Sequence, residues 1–394
     1  MDLLDIQKSI RELNFDGWLF YDFANRDMIS YRILGLDEHK HTSRRWFYFI
    51  PVNGNPHKIL SKVEPKKLAG LPGDEHYYLN WEELHDFLKK ILPKGSKIAM
   101  NYSPNNNIPY ISTIDLGTGD LIRSFGVEIV SSMDLIQKYE GLVKEDAFQT
   151  HMDAMPLMHE ITIGAFEEIG RRIKINESFT EYDISLWMKS QMEKNGLDCM
   201  DSPPQVSVNE HAADPHFDPA ITTVNIKKGD IILIDSWAKL KKPRSIYYDF
   251  TMMAYAGSEI PPRYQEVWEI VKGARDRVIK FEKETFEKGK ECFGWELDKV
   301  ARDFITEKGF GQYFVHRTGH SIGQEVHGNA VHLDSLETQD ERRIVPYILH
   351  SVEPGIYLPD EGIGVRSEVD VYVDGNGIVK VTGPLQDEIY KIDC

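Results

Sequence analysis

Two stretches of this sequence set acids inside apolar runs that read as strands, and burying those acids constrains the fold more than any other feature. In DIILIDSWAKLKKPRSIYYDFTMMAYAG, Asp235 ends the run Ile231 to Ile234, and Asp249 lies between Tyr248 and Phe250. In ILHSVEPGIYLPDEGIGVRSEVDVYV, Glu353 and Glu368 flank a Gly/Pro/Asp turn in the same manner. Each stretch predicts an antiparallel hairpin able to bring its two acids together. The separations are alike, 14 residues between the aspartates and 15 between the glutamates. Two such hairpins predict an internal pseudo-repeat converging on one site.

The cost of burial says what that site must contain. An unpaired buried carboxylate costs several kcal/mol or neutralises itself by a pKa shift. Four converging acids repel one another unless cations sit among them, and the nearby basic residues are few: Arg366 and Arg317. Between the hairpins lies HRTGHSIGQEVHG, which gathers His316, His320 and His327 around Gly319 and Gly323. An oxygen-rich donor set with one imidazole suits Mn²⁺, Co²⁺, Fe²⁺ or Zn²⁺. Two such ions, about 3.5–4 Å apart, would use this many ligands. Singly, each residue has an ordinary alternative: a strand Asp that faces solvent, a Glu that ends a strand before Pro-Gly, a histidine satisfied in a core or loop. Those alternatives would all have to hold at once, across two hairpins and one Gly-flanked histidine.

Composition narrows the partners. The 394 residues carry 46 basic and 63 acidic side chains, a net charge of −17, which argues against nucleic-acid or anionic-membrane binding. Cys199, Cys292 and Cys394 show no short-range pairing pattern, so a reduced, unstapled protein is expected. The opening MDLLDIQKSIRELNFDGW has no basic-then-apolar leader pattern, and no apolar run reaches membrane-spanning length. A cytoplasmic location is the expectation.

Residues 1–142 alternate helix and strand. A helical start (Leu3, Ile6, Ile10, Leu13) precedes the run GWLFYDF, and RRWFYFIPVNGNPHKIL reads as two strands around Asn53-Gly54-Asn55-Pro56. WEELHDFLKKIL has helical spacing, and KIAMNYS and VEIVSS read as short strands. The polar stretch 139–148 reads as a linker. From 143 to 394 longer helices take over: Met158, Ile161, Ala165 and Ile169 recur at helical spacing, Thr180 with Asp183 predicts a capping box, and further helices follow Pro261-Pro262 and end near Gly309. The fold class expected is α+β, with a smaller α/β domain in front.

With these residues in view, the second half resembles the pita-bread metallopeptidases: methionine aminopeptidases, Xaa-Pro aminopeptidases and Xaa-Pro dipeptidases (prolidases), with creatinase as a metal-free relative. The resemblance spans roughly residues 145–385. It rests on PHF at 215–217, the pair Asp235 and Asp249, GHSIGQEVH, VEPGIY and GVRSE. The N-terminal half looks like the smaller domain of creatinase and prolidase, by length and order more than by motif.

The resemblance implies a dinuclear site with Asp235, Asp249, His320, Glu353 and Glu368 as ligands, Asp249 and Glu368 bridging. It implies two divalent ions, with Mn foremost and Co, Zn or Fe as alternatives. His216 and His327 would contact substrate, His327 beside the scissile carbonyl. Glu353 would move a proton from a metal-activated bridging water to the leaving nitrogen. His316 would line the pocket, and Arg366 would either pair with a substrate carboxylate or balance the local acids. The reaction implied is hydrolysis of an Xaa-Pro bond in dipeptides or at peptide N-termini, by a homodimer. Two other readings stay open here: a creatinase-like hydrolase of a non-peptide amide or C–N bond, and a non-catalytic pita-bread module.

The chain departs from the family pattern at four places. Trp237 stands where a Gly is usual, and the turn between the aspartates is longer than usual. DFTMM lacks the usual basic residue, and Gly328 replaces an acid. These changes fall around the pocket and bear on substrate preference.

Overall fold

The structure is a computed structural model describing residues 2–200 and 202–394. The chain divides into two compact units, 1–140 and 141–394.

In the first unit six strands form one sheet: β1 (Gly17–Asp22), β2 (Trp46–Pro51), β3 (His57–Ser61), β4 (Asp74–Tyr78), β5 (Lys97–Met100) and β6 (Glu128–Ser131), in the order β4-β3-β2-β1-β5-β6. β2 and β3 form the expected hairpin around the Asn-Gly turn, with Phe47 opposite Ile59. Helices α1 (Leu3–Glu12), α2 (Met28–Leu34), α3 (Trp81–Ile91), α4 (Leu116–Ser124) and α5 (Met133–Ile136) accompany the sheet. Trp18, Phe20 and Tyr48 pack into one buried apolar cluster, Leu19, Phe47 and Phe49 into another, as strand alternation requires.

The second unit opens with α6 (Glu145–Lys174), a 30-residue helix. Residues 145–148, expected in a linker, form its first turn instead. Glu145 and Asp146 there favour the positive end of the helix dipole, so polarity marks a helix start and not a break. α7 (Glu181–Lys194) has the predicted capping box between Thr180 and Asp183. α8 (Pro262–Glu287) and α9 (Gly294–Glu307) follow. Among the described residues, no helix is long and apolar enough to cross a membrane.

The strands of this unit are β7 (Leu197–Asp198), β8 (Gln205–Val208), β9 (Ile231–Leu240), β10 (Tyr248–Tyr255), β11 (Leu349–Val352), β12 (Gly355–Leu358), β13 (Ile363–Arg366), β14 (Val369–Val373), β15 (Val379–Val381) and β16 (Tyr390–Lys391). β9 and β10 form the first acid hairpin, but Asp235 lies opposite Thr251 and Asp249 opposite Trp237. The aspartates are therefore diagonal neighbours on one face.

The glutamates are placed differently. β11 pairs β14 with Val352 opposite Val369, and β12 pairs β13 with Gly355 opposite Arg366. Both ladders share one register, and continuing it across the gap sets Glu353 opposite Glu368. The two lie in the interruption and not within strands. Pro354 has no N–H to give a ladder, which breaks the pairing at this point. The two hairpins thus resemble each other in sequence spacing but differ in how they present their acids.

Candidate metal centre

β9, β10, the 316–328 loop and the β11–β14 interruption bring their polar side chains to one place. Asp249, His320 and Glu368 each offer a ligand atom within 4.8 Å of the other two, and all three are buried. His320 Nε2 is 3.3 Å from Glu353 Oε1 and 3.6 Å from Asp249 Oδ2. Its other nitrogen, Nδ1, donates to the Ser321 carbonyl at 3.1 Å. That leaves the Nε2 lone pair facing the acids, the tautomer a metal ligand needs. The His320 backbone is fixed as well, its N–H donating to Ser351 Oγ, which donates in turn to Glu353 Oε1 at 3.1 Å.

The local glycines differ in what they permit. A Cβ on Gly319 would fall inside the Ser351 carbonyl oxygen, so close backbone approach does require glycine there. A Cβ on Gly323 would meet nothing within 4 Å, so close backbone approach does not require glycine at that position.

Asp235 accepts from Arg366 Nη2 at 2.6 Å. Arg366 is buried; its Nε donates to Thr251 Oγ1 at 3.0 Å, and its Nη1 to Tyr357 Oη at 3.2 Å and the Pro215 carbonyl at 3.4 Å. Of the two roles expected for Arg366, this is the geometry of balancing acids. Tyr357 links it to His316: Nδ1 of His316 donates to the Arg317 carbonyl at 2.7 Å, and Nε2 lies 2.8 Å from Tyr357 Oη. His316 thus belongs to a hydrogen-bonded wall of the site. His327 sets its ring against His320, centroids 4.3 Å apart at 83°. His216 is exposed on the loop after β8, its N–H donating to Asp214 Oδ1.

Electrostatics show a site built around excess negative charge. Burial, then the charge of Asp235, pushes the Asp249 carboxyl well above its usual range. Burial and Asp249 do the same to Glu368, and burial chiefly raises Glu353 to about 7. Burial pushes His320 well below its usual value, whereas His327 is exposed at the end of its loop. Burial opposes the charge on Arg366, but Tyr357, Asp235, Glu368 and Glu353 outweigh it and hold the guanidinium charged. One Oδ1 of Asp235 and one of Asp249 are buried without a hydrogen-bond partner. Carboxylates converging on one neutral imidazole, with oxygens left over, fit divalent cations.

A family model described as Metallopeptidase family M24 matches residues 153–375. The chain belongs to that family. An Xaa-Pro dipeptidase of Pyrococcus furiosus is 25% identical to it over 305 residues, 77% of this chain and 78% of its own length. A prolidase structure from Thermococcus sibiricus is similar over 99% of both chains, with a TM-score of 0.69 at 20% identity. Dipeptidase PepE of Mycobacterium ulcerans is similar over 99% of this chain and 96% of its own, with a TM-score of 0.71 at 19% identity. The fold is the pita-bread fold of the M24 metallopeptidases, and divalent metal belongs to the family's chemistry.

Several supporting residues of this M24 centre carried no motif signal. Thr251 Oγ1 donates to Glu368 Oε2 at 2.7 Å while accepting from Arg366, so one hydroxyl orients both. Fully buried Asp370 accepts from the Asp249 N–H at 2.9 Å. Asp370 was detectable by the same sign as Asp235, an acid within an apolar strand. Glu181, buried at the start of α7, accepts from the N–H groups of Val208 and Val224 and from His211 Nδ1. It ties together both ends of the loop that carries His216. Nothing in the linear sequence joins position 181 to that loop.

Proposed function

We propose that this M24 metallopeptidase hydrolyses the Xaa-Pro bond of dipeptides or peptide N-termini, with two divalent ions held by Asp235, Asp249, His320, Glu353 and Glu368. The observation that carries the reading is the convergence of buried Asp249, His320 and Glu368 within 4.8 Å, on a fold shared with prolidase. The named relative from Pyrococcus furiosus supports the Xaa-Pro preference. Mn²⁺ is the ion proposed first; Co²⁺, Zn²⁺ and Fe²⁺ suit the same donors.

When bound, the ions polarise a carbonyl and bring the pKa of a water close to neutrality. The chain's own groups do the rest. His327, beside His320, donates to the oxygen of the scissile carbonyl as negative charge develops there. Glu353 takes a proton from the water whose oxygen adds to the carbonyl carbon, and delivers it to the nitrogen as the C–N bond breaks. His216 reaches the substrate from the loop clamped by Glu181. Arg366 and Tyr357 hold Asp235 and His316 in place. The protein acts as a homodimer in the cytoplasm on this reading, and light scattering measures the assembly.

The test is a metal-loaded assay of Xaa-Pro dipeptides, longer Xaa-Pro-Yaa peptides and proline-free controls. Dialysis against a chelator abolishes turnover and Mn²⁺ or Co²⁺ restores it. Equal cleavage of proline-free peptides would reject the Xaa-Pro preference and leave the metallopeptidase. Comparing dipeptides with longer peptides decides between dipeptidase and aminopeptidase.

A further inference from the structure

The aspartate hairpin continues past the metal-facing acids, and its far end holds another segment. Along β9, Asp235, Trp237 and Lys239 are partly exposed, while Ser236, Ala238 and Leu240 between them are buried. The three therefore share the face that carries the acids. Lys239 Nζ lies 4.5 Å from the centroid of the Tyr247 ring and donates to the Gln324 carbonyl at 2.6 Å. The Tyr247 N–H donates to the Gly323 carbonyl at 3.0 Å. Trp237 and Val326 pack against the same buried cluster, which includes Tyr247 and Ile322.

All of these contacts fall on residues 322–326, between His320 and His327. The loop's base is closed separately, by the Gly328 N–H donating to the Ser321 carbonyl at 2.7 Å. The loop is held from two further sides: the Ile322 N–H donates to the Leu349 carbonyl of β11 at 2.9 Å, and the hairpin end holds Gly323 and Gln324. This gives a physical use to two sequence departures, Trp237 and the lengthened turn. An ammonium held both over an aromatic face and by a carbonyl has two contacts at once, the second of them on the loop.

We propose that Lys239 is a positioning residue that holds the 321–328 loop on the aspartate hairpin and thereby fixes His327 over the reacting carbonyl. The proposal rests on the role given to His327 above. It concerns the loop's geometry, which is measurable without turnover. Misplacing a catalytic group by about 1 Å can cost on the order of a hundredfold in rate.

The test compares Lys239→Met and Lys239→Arg with the full-length, metal-loaded protein. In Lys239→Met, amide hydrogen exchange across residues 321–328 rises by about tenfold or more, with β9 and β10 unchanged. kcat on an Xaa-Pro dipeptide falls by about tenfold or more, while KM and bound metal stay near wild type. Lys239→Arg recovers most of the rate. Lys239→Met combined with His327→Ala is no slower than His327→Ala alone, because both act through one group. Unchanged exchange in the loop, or two rate losses that multiply, overturns the proposal. Altered exchange in a protein with no turnover on any peptide would uphold the tether and reject the peptidase reading.

Discussion

The rings of His320 and His327 meet edge to face, 4.3 Å between centroids, and His320 Nε2 lies within 3.6 Å of two carboxylates. On the proposed function these two imidazoles, seven residues apart, have different work. His320→Ala is expected to lose metal, measured as ions bound per chain by atomic emission. His327→Ala is expected to keep its metal and lose kcat by roughly a hundredfold or more, the cost of one oxyanion donor. Equal metal loss in both variants would refute the division.

Thr251 is expected to matter through two bonds at once. Thr251→Val removes the donor to Glu368 and leaves Arg366 Nε buried without its acceptor. Such a loss costs about 1–3 kcal/mol. Urea unfolding should show that decrease, and metal titration should show weaker binding. Wild-type values in both measurements would mean that the hydroxyl orients nothing.

Two glycines in one motif should respond oppositely. Gly319→Ala drives a methyl into the Ser351 carbonyl, and Ser351 cannot move without disturbing its pairing with Asp370. A loss of about 1–3 kcal/mol or more is expected. Gly323→Ala has open space and should stay within about 0.5 kcal/mol. The urea midpoints of the two variants decide it.

Acid should weaken the second unit through buried His151. Its Nδ1 donates to the Tyr247 carbonyl and its Nε2 meets Thr382 Oγ1, with no exposure to water. Burial lowers its pKa from 6.5 to about 4. The unfolded chain therefore takes the proton first as pH falls. The contribution is complete above pH 6.5 and is lost progressively towards pH 4, by up to about 3 kcal/mol. His151→Asn should flatten stability over that window relative to wild type, measured by urea unfolding at a series of pH values. An unchanged acid limb would show that His151 does not titrate in this manner.

Much of this centre was legible because its signals are local. Acids in apolar runs, as at Asp235 and Asp249, are visible from their immediate neighbours, and two such stretches together point to acids brought to one site. The Asn53-Gly54 turn and the Thr180 capping box likewise depend on a few adjacent residues, and both form as the pattern predicts. Asp370 shows the same local sign, an acid between apolar strand residues.

Other relationships had no local sign. That Asp235 and Asp249 are diagonal while Glu353 and Glu368 are opposed depends on strand register and on a ladder broken at Pro354. The bond from Arg366 to Asp235 joins positions 131 residues apart, and that from Lys239 to Gln324 joins positions 85 apart. Composition and periodicity determine which side chains must be hidden, because that preference belongs to each residue and its neighbours. Which hidden charge meets which partner is decided only when distant segments pack, because hydrogen bonds and ion pairs depend on distances of a few ångströms that only the folded backbone sets.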